Sequence, residues 1–421
     1  MAPLFPADPL SCAEIAQRCQ ADGEFMLGAQ YWDGGYRIQV GDALTGVAIK
    51  AGQVVAKIPE PGSGVISLAG PAEVWEPMLQ TVPPRLANTV SVMIGHGLTL
   101  EADPLLWWQY LPATERLIEL LRTPGQPAPQ QVPALRASGE HDSATGHYVH
   151  VELDGHDHRI YYEEAGHGIP LLLQHTAGSH GVQWRHLFEN PTITDRFRLI
   201  AYDLPFHGKS LPPTSRRWWE EPYKLTGNFL RQVPVAMADA LALDQPAFMG
   251  CSVGGLLALD LALHHPDRFR AAIAVEGALH IGGDYESQFG MSHPQVNGLS
   301  KARMMEGLCS PTSPRPYVKE VSQAYSAGWP PVFLGDLWYY LVDYDIRDRA
   351  HEIDTARCAV HIMNGEYDYS GSIKKGLAAN QAIAGSTHTA MDNIGHFPMT
   401  ENPELFMTYL EPILKSVSEN S

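Results

Sequence analysis

The sequence predicts an α/β protein: a doubly wound, mostly parallel sheet that carries a cap insertion and is preceded by a small α+β domain. Three observations predict it. From residue 141 onward, apolar runs of strand length alternate with helical periodicity over roughly 200 residues. A glycine-bounded turn, Gly250-Cys251-Ser252-Val253-Gly254, joins one such run to one such helix. The stretch TPGQPAPQQVPALRASGE, residues 123–140, has four prolines and no periodicity, and reads as a linker between residues 1–122 and 141–421.

In the first segment, AEIAQRCQADGEFML reads as a short helix, and YRIQVGD, LTGVAIKAGQVVAKI and GVISLAG as strands between glycine turns. PAEVWEPMLQ places Val74, Trp75, Met78 and Leu79 on one helical face behind a proline, and PATERLIELLR does the same with Leu117, Leu120 and Leu121. In the second segment, VHVELDGHDHRIYYEEA is a hairpin turning at Asp154-Gly155. PLLLQHT, FRLIAYDL, PAFMGCS, FRAAIAVEG and AVHIMNG have the unbroken apolar character of buried parallel strands. VPVAMADALALD, GGLLALDLALHH and the stretch after Pro398 are helices. Residues 279–350, rich in proline and aromatic side chains, break this rhythm and read as an irregular cap.

Composition narrows the function. The chain has 421 residues and a net charge of −18, which repels nucleic-acid backbones and anionic membrane surfaces. No apolar run approaches the ~20 residues of a membrane-spanning helix, and the N-terminal stretch lacks the pattern of a secretory signal. Five scattered cysteines read as free thiols, so a cytoplasmic location is expected. His141, His147, His150, His156 and His158 crowd the start of the second segment. His147 and His150 point to opposite strand faces, so neither metal nor cofactor is expected. A homodimer is expected only because two-fold assemblies are common.

The chemistry centres on Ser252. A sharp turn between strand and helix lifts its hydroxyl above the sheet, and the flanking glycines let the chain pass closely around it. The Val253 amide then lies at a helix N-terminus, suited to hold a developing oxyanion. Cys251, one residue before, points into the sheet as a small apolar residue. A serine hydroxyl needs a base, and His396 in MDNIGHFPMTENPELF lies in a loop where one could be lowered onto it. A carboxylate should orient that imidazole; Asp368, Glu366 and Asp392 all lie within reach of the role. Tyr325, Trp329, Phe333, Trp338, Tyr339, Tyr340 and Tyr344 in the cap favour an apolar, aromatic-lined substrate pocket, with Trp329 and Trp338 taken as contacts.

Residues 146–415 resemble the α/β-hydrolase superfamily through five segments in order: LLLQHTAGSHG, YDLPFHGKS, GCSVG, NGEYDYS and GHFPMTENP. The resemblance implies Asp368 as the acid and a second oxyanion amide in His175-Thr176-Ala177-Gly178, assigned to Ala177, with His175 and Thr176 near the substrate. The family usually has His-Gly where this chain has His175-Thr176, and glycine where it has Phe206. A ring at Phe206 would reach the pocket. A serine rather than an aspartate nucleophile argues against the dehalogenase and epoxide-hydrolase branches. Residues 10–122 resemble sterol-carrier-type lipid-binding domains through SLAGPAEVWEPML and GHGLTLEADPLLWW; the alternative is a structural domain whose apolar residues fill its own core.

The leading expectation is therefore a cofactor-independent serine hydrolase acting on a carboxylic ester or lactone of a hydrophobic substrate. With the same residues, the resemblance also allows C–C bond hydrolysis of a diketone-type ring-cleavage product and hydroxynitrile lysis. From another class comes a protein that binds a hydrophobic ligand without turning it over.

Overall fold

In the computed structural model, which describes residues 11–122 and 138–419, thirteen strands are divided between two sheets. Most of the proline-rich stretch, residues 123–137, lies outside the described residues.

The first sheet holds β1 (Gly34–Val40), β2 (Ala43–Lys50), β3 (Gln53–Val55), β4 (Val65–Gly70) and β5 (Thr99–Glu101), in the order β3-β2-β1-β4-β5. The expected N-terminal helix is two helices, Cys12–Ala21 and Gly23–Gly28. Asp22 ends the first, and its carboxylate caps the second by accepting from Phe25 N (2.8 Å). The helix Pro104–Leu121 is longer than its periodic part suggested, because Pro112 is accommodated inside it. Phe25, Trp32, Tyr36, Trp75, Leu111 and Leu117 fill the core of this unit.

The chain separates into two compact units, and the first includes residues 290–307 as well as the N-terminal region. The helix Gly298–Glu306 within that segment is fastened to the N-terminal helices by polar bonds. Ser300 Oγ donates to Trp108 O (2.5 Å), and buried Arg303 pairs with Glu119, Glu306 and, at 3.5 Å, Glu24. Part of the stretch read as cap thus completes the N-terminal unit.

The second unit is built on β6 (Thr145–Leu153), β7 (His156–Ala165), β8 (Ile169–Gln174), β9 (Phe197–Tyr202), β10 (Ala247–Cys251), β11 (Ala271–Val275), β12 (Ala359–Gly365) and β13 (Thr387–Met391). Their order is β13-β12-β11-β10-β8-β9-β7-β6. β8 through β13 pair in parallel, and β7 is antiparallel to both β6 and β9. The β6–β7 hairpin turns where expected: Asp154 and Gly155 have φ of 50° and 74°, as a two-residue turn of the primed type requires. The central strands β10 and β11 are buried at every position. On one face of the sheet, Leu173, Met249 and Ile273 pack with Phe406, Leu410 and Leu414 of the helix Pro403–Glu419.

The insertion is more regular than its composition suggested. It contains the helices Arg315–Ser326 and Pro330–Trp338, the latter running into a wider-wound turn, Tyr339–Asp343. Pro316 and the Pro330-Pro331 pair occupy first-turn positions, where the missing N–H costs nothing, so the prolines of a stretch that read as irregular are helix starters. No helix among the described residues is long and apolar enough to cross a membrane.

Replacing Arg303 with Ala removes the cation shared by Glu119 and Glu306 and should cost about 3–5 kcal/mol. Hydrogen exchange should then accelerate in the helix Pro104–Leu121 while β8, β10 and β11 keep wild-type protection. Equal acceleration in both units would contradict the assignment of residues 290–307 to the first.

Candidate active site

Ser252 is the single residue between β10 and the helix Val253–His264, and its backbone is held at φ 60°, ψ −114°. Such a conformation costs an L-residue about 1–3 kcal/mol and persists only where the surroundings enforce it. Here they do. Ser252 N donates to Val275 O (3.0 Å), and its carbonyl accepts from Leu256 N (2.9 Å). A Cβ on Gly250 would lie 2.3 Å from Gly254 O, one on Gly254 2.8 Å from Gln174, and one on Gly255 2.1 Å from Val275 O. The three glycines let the helix press onto β8, β10 and β11, and Ser252 is carried to the carboxyl ends of the strands. Val253, as the first helical residue, has an N–H with no carbonyl a turn behind it.

His396 lies between β13 and the short helix Pro398–Glu401. Its N–H donates to Leu308 O (3.0 Å). Buried Glu401 braces the loop, accepting from Phe397 N (3.0 Å), Ser310 N (2.6 Å) and Ser313 Oγ (2.8 Å). His396 Nδ1 donates to Asp368 Oδ2 at 2.8 Å, which leaves Nε2 as the nitrogen with an available lone pair. Asp368 also accepts from Gly371 N (2.9 Å), Ser370 N (2.8 Å) and Ser370 Oγ (2.9 Å). Burial alone would raise its pKa; the charge and hydrogen bond of His396, with these donors, outweigh burial and hold it well below the usual carboxylate range. The two rival acids are placed otherwise. Glu366 accepts from Asn393 N (2.9 Å), and Asp392 is exposed.

Two contacts tie this pair to the serine turn. Cys251 Sγ donates to His396 O (3.1 Å), and its side chain lies in the apolar core beneath the sheet. The buried hydroxyl of Tyr340 is hydrogen-bonded to Ser370 Oγ (3.0 Å) and shares a hydrogen bond with Ser252.

The turn after β8 is nearly all engaged. His175 Nδ1 donates to Thr176 O (2.8 Å) and Nε2 accepts from Leu204 N (3.1 Å). Burial holds this ring neutral, and both nitrogens are spent on backbone. Gln183 Oε1 accepts from Thr176 N (3.1 Å) and from Thr176 Oγ1 (3.0 Å), and the same hydroxyl meets Tyr325 OH at 2.5 Å. Gly178, at φ 64°, donates its N–H to Asp336 Oδ2 (2.7 Å). Of the Thr176, Ala177 and Gly178 amides, those of Thr176 and Gly178 are thus satisfied by side chains, and the Ala177 amide has no such partner among the described residues.

Asp336, on the helix Pro330–Trp338, also accepts from His207 Nε2 (2.7 Å) and Tyr223 OH (3.0 Å). Because His207 Nδ1 faces Pro205 O (3.0 Å), both ring nitrogens point at acceptors, an arrangement that favours the imidazolium. Burial opposes that charge, but Asp336 outweighs it and the pKa is raised.

Beside the turn lies a cavity of about 680 Å³. Phe206, Trp218 and Trp329 form its aromatic side; Gly178, Ser179, His180, Asp203 and Lys209 line it elsewhere. Phe206, at φ 74°, stacks with Trp329 at a centroid distance of 6.0 Å. His175, Thr176, Trp338 and Ser252 are not part of the lining. Trp338 instead has Lys224 Nζ 3.8 Å above its ring. His150 pairs with Asp157 (3.0 Å) and His156 with Ser215 (2.9 Å); among the described residues no three His, Cys, Asp or Glu side chains gather as a metal site would need.

Sequence reasoning missed Glu276, Asp336, His207 and Glu401, and read Tyr340 only as one of the cap's pocket aromatics rather than as a hydrogen-bond partner of Ser370 and Ser252. Glu276 had a signal: a carboxyl closing the apolar run FRAAIAVEG, at the carboxyl end of a central parallel strand. The others act across about 90 to 160 residues of chain or through the cap, and have no local pattern.

A family model described as alpha/beta hydrolase fold matches residues 169–403, more than half of the chain, and the chain belongs to that family. It is 26% identical over 273 residues to a pimeloyl-[acyl-carrier protein] methyl ester esterase of Aliivibrio salmonicida, covering 62% of this chain and 97% of the relative. It is 23% identical over 257 residues to 3-oxoadipate enol-lactonase 2 of Acinetobacter baylyi, covering 58% and 88%. Among solved structures, a thermophilic esterase from Thermogutta terrifontis superposes with a TM-score of 0.57 at 18% identity, covering 65% of this chain and 99% of that one.

The His207–Asp336 pair predicts a pH effect on stability. A histidine pKa raised on folding gives stabilisation that is complete below the ordinary value near 6.5 and is lost as pH rises through the folded value. The difference in urea midpoint between wild type and Asp336→Asn should therefore be larger at pH 6 than at pH 9. An equal difference at both would contradict a charged pair.

Proposed function

We propose that this chain is a serine hydrolase of carboxylic esters or lactones with a hydrophobic, ring-bearing part. Ser252 Oγ attacks the carbonyl carbon as its proton passes to His396 Nε2. The tetrahedral intermediate collapses, the C–O bond breaks, and His396 returns the proton to the departing alkoxide. Water, deprotonated by the same nitrogen, then attacks the acyl-serine; the acid is released and Ser252 recovers its proton. Asp368 fixes the tautomer of His396 and stabilises its imidazolium. The amides of Val253 and Ala177 hold the oxyanion, and Phe206 and Trp329 receive the apolar part of the substrate.

The observation that carries this reading is the 2.8 Å bond from His396 Nδ1 to buried Asp368, in a loop fastened by Cys251 to a serine held at positive φ. A pair that leaves Nε2 with a lone pair, in a loop tied to the turn of a strained, buried serine, supplies the base that acyl transfer requires. The satisfied state of the neighbouring amides supports Ala177 in particular. The esterase and lactonase relatives support the substrate class. The chain's own substrate is sought among aryl esters and lactones, in keeping with the aromatic wall of the cavity.

The test is turnover of p-nitrophenyl esters of increasing acyl length and of aryl-substituted lactones. Wild type should hydrolyse them, Ser252→Ala should not, and Asp368→Asn should lose about 10²–10⁴-fold in kcat. Phe206→Gly should raise KM for aryl substrates more than for acetate esters. Full activity in Ser252→Ala would refute the mechanism, and a KM unchanged in Phe206→Gly would remove Phe206 from the binding site.

A further inference from the structure

A second carboxyl lies against the first and is not used by the mechanism above. Glu276 directly follows β11, is fully buried, and has φ 54°. Its own N–H donates to Met363 O (2.7 Å), and its carboxyl oxygens accept from Gly365 N at 2.9 and 3.1 Å. The carboxyl is also hydrogen-bonded to Asp368. The fit is tight: a Cβ on Gly371 would lie 2.5 Å from Glu276 O and 2.8 Å from Asp368 Oδ2.

Two carboxyls in direct contact, both shielded from water, do not both ionise. Which one keeps the proton follows from their surroundings. Asp368 faces His396 Nδ1, two backbone N–H groups and Ser370 Oγ. Among the described residues, the hydrogen-bond donor that faces the Glu276 carboxyl is the Gly365 amide. The other charged or titratable groups around the pair are Glu401 of the histidine loop, Cys251 at the end of β10, Tyr340 of the cap, whose hydroxyl is bonded to Ser370 Oγ (3.0 Å), and Lys375, whose Nζ donates to Ser370 O and Ile281 O (both 2.9 Å). Glu401 and Cys251 add no positive charge beside Glu276, and Lys375 is directed to backbone oxygens.

We propose that Glu276 is a positioning residue whose neutral carboxyl donates a hydrogen bond to Asp368, fixing that carboxylate against His396 and drawing off part of its negative charge. Resting on the reading of Asp368 and His396 given above, the proposal sets the strength of the base. A carboxylate that shares its charge with a neutral donor stabilises an imidazolium less. Burial and the adjacent Asp368 push the Glu276 carboxyl well above its ordinary range, in keeping with a retained proton.

The test uses the full chain and p-nitrophenyl butyrate. Glu276→Gln keeps an N–H donor for Asp368 and a carbonyl for Gly365 N, so kcat should stay within about threefold of wild type, with the acid limb of kcat/KM in place. Glu276→Leu fills the space without the donor. Its kcat should fall by up to about 100-fold, and its acid limb should move to higher pH as His396 faces an undiluted charge. An ionised Glu276 would give the opposite sign, with the limb moving to lower pH in both variants. A mere space-filler would leave Glu276→Leu with wild-type kcat and limb. Either result overturns the proposal. A readout independent of turnover is infrared difference spectroscopy of protein carrying ¹³C-labelled glutamate. At pH 9 wild type should show the C=O stretch of a protonated glutamic acid, and Glu276→Gln should lose it. Absence of that band in wild type overturns the proposal even where a variant fails to fold. Failure of the hydrolase reading itself would instead leave wild type inactive on every ester, with the band still present.

Discussion

The close approach of the helix Val253–His264 to the ends of β8, β10 and β11 is the constraint on which the rest of the site depends. It is steric before it is chemical: side chains at Gly250, Gly254 or Gly255 would collide with backbone at 2.1 to 2.8 Å, or with Gln174. Because these positions are bare, Ser252 can be the only residue between strand and helix, and it accepts positive φ to be so. The first helical amide, the serine hydroxyl and the turn after β8 then converge at one end of the sheet. Chemistry is added to that point by loops that would otherwise have no reason to meet.

Those loops are held by buried carboxyls, each saturated by donors. Asp368 collects His396, Ser370 and Gly371; Glu401 collects Phe397, Ser310 and Ser313; Asp336 collects Gly178, His207 and Tyr223. A buried carboxyl is costly unless its oxygens are fully satisfied, so each such centre specifies one arrangement of its loop and disfavours others. Gly178 shows the effect. Its amide is claimed by the cap helix, its φ of 64° excludes a side chain, and Phe333 lies 2.7 Å from where a Cβ would be. The turn that presents Ala177 is thereby set from outside itself.

Much of the sheet was legible because buried parallel strands leave an unbroken apolar mark, and β8 through β12 all have it. β13 does not: Thr387-His388-Thr389 on an edge strand carries no such run, and only pairing with β12 makes it a strand. The cap's helices were obscured by prolines that mark helix starts as readily as breaks. The strand-to-helix turn at Ser252 and the loop that carries His396 were legible from local patterns. Asp368 was separated from Glu366 only by resemblance, since two acids two residues apart in one loop look alike until one is seen buried and the other turned to Asn393. Asp336 and His207 depend on partners brought together by the fold, and no spacing in the chain announces them; Glu276 is marked only by closing the apolar run of β11, and its partner Asp368 lies 92 residues on. Phe206 was noticed as a departure from a glycine, and its φ of 74° gives that departure a physical meaning: a ring placed at some conformational cost on the wall of a cavity.

The central claim is that Ser252 is an activated nucleophile. Intact-mass measurement after incubation with a fluorophosphonate, on wild type and on Ser252→Ala, tests it most directly. The account predicts one adduct on wild type, mapped to Ser252, and none on the variant. A folded wild-type protein that stays unmodified while a small phosphonate probe of the same reactivity is consumed by a known serine esterase would contradict it, and the fold would then serve to hold a hydrophobic ligand instead.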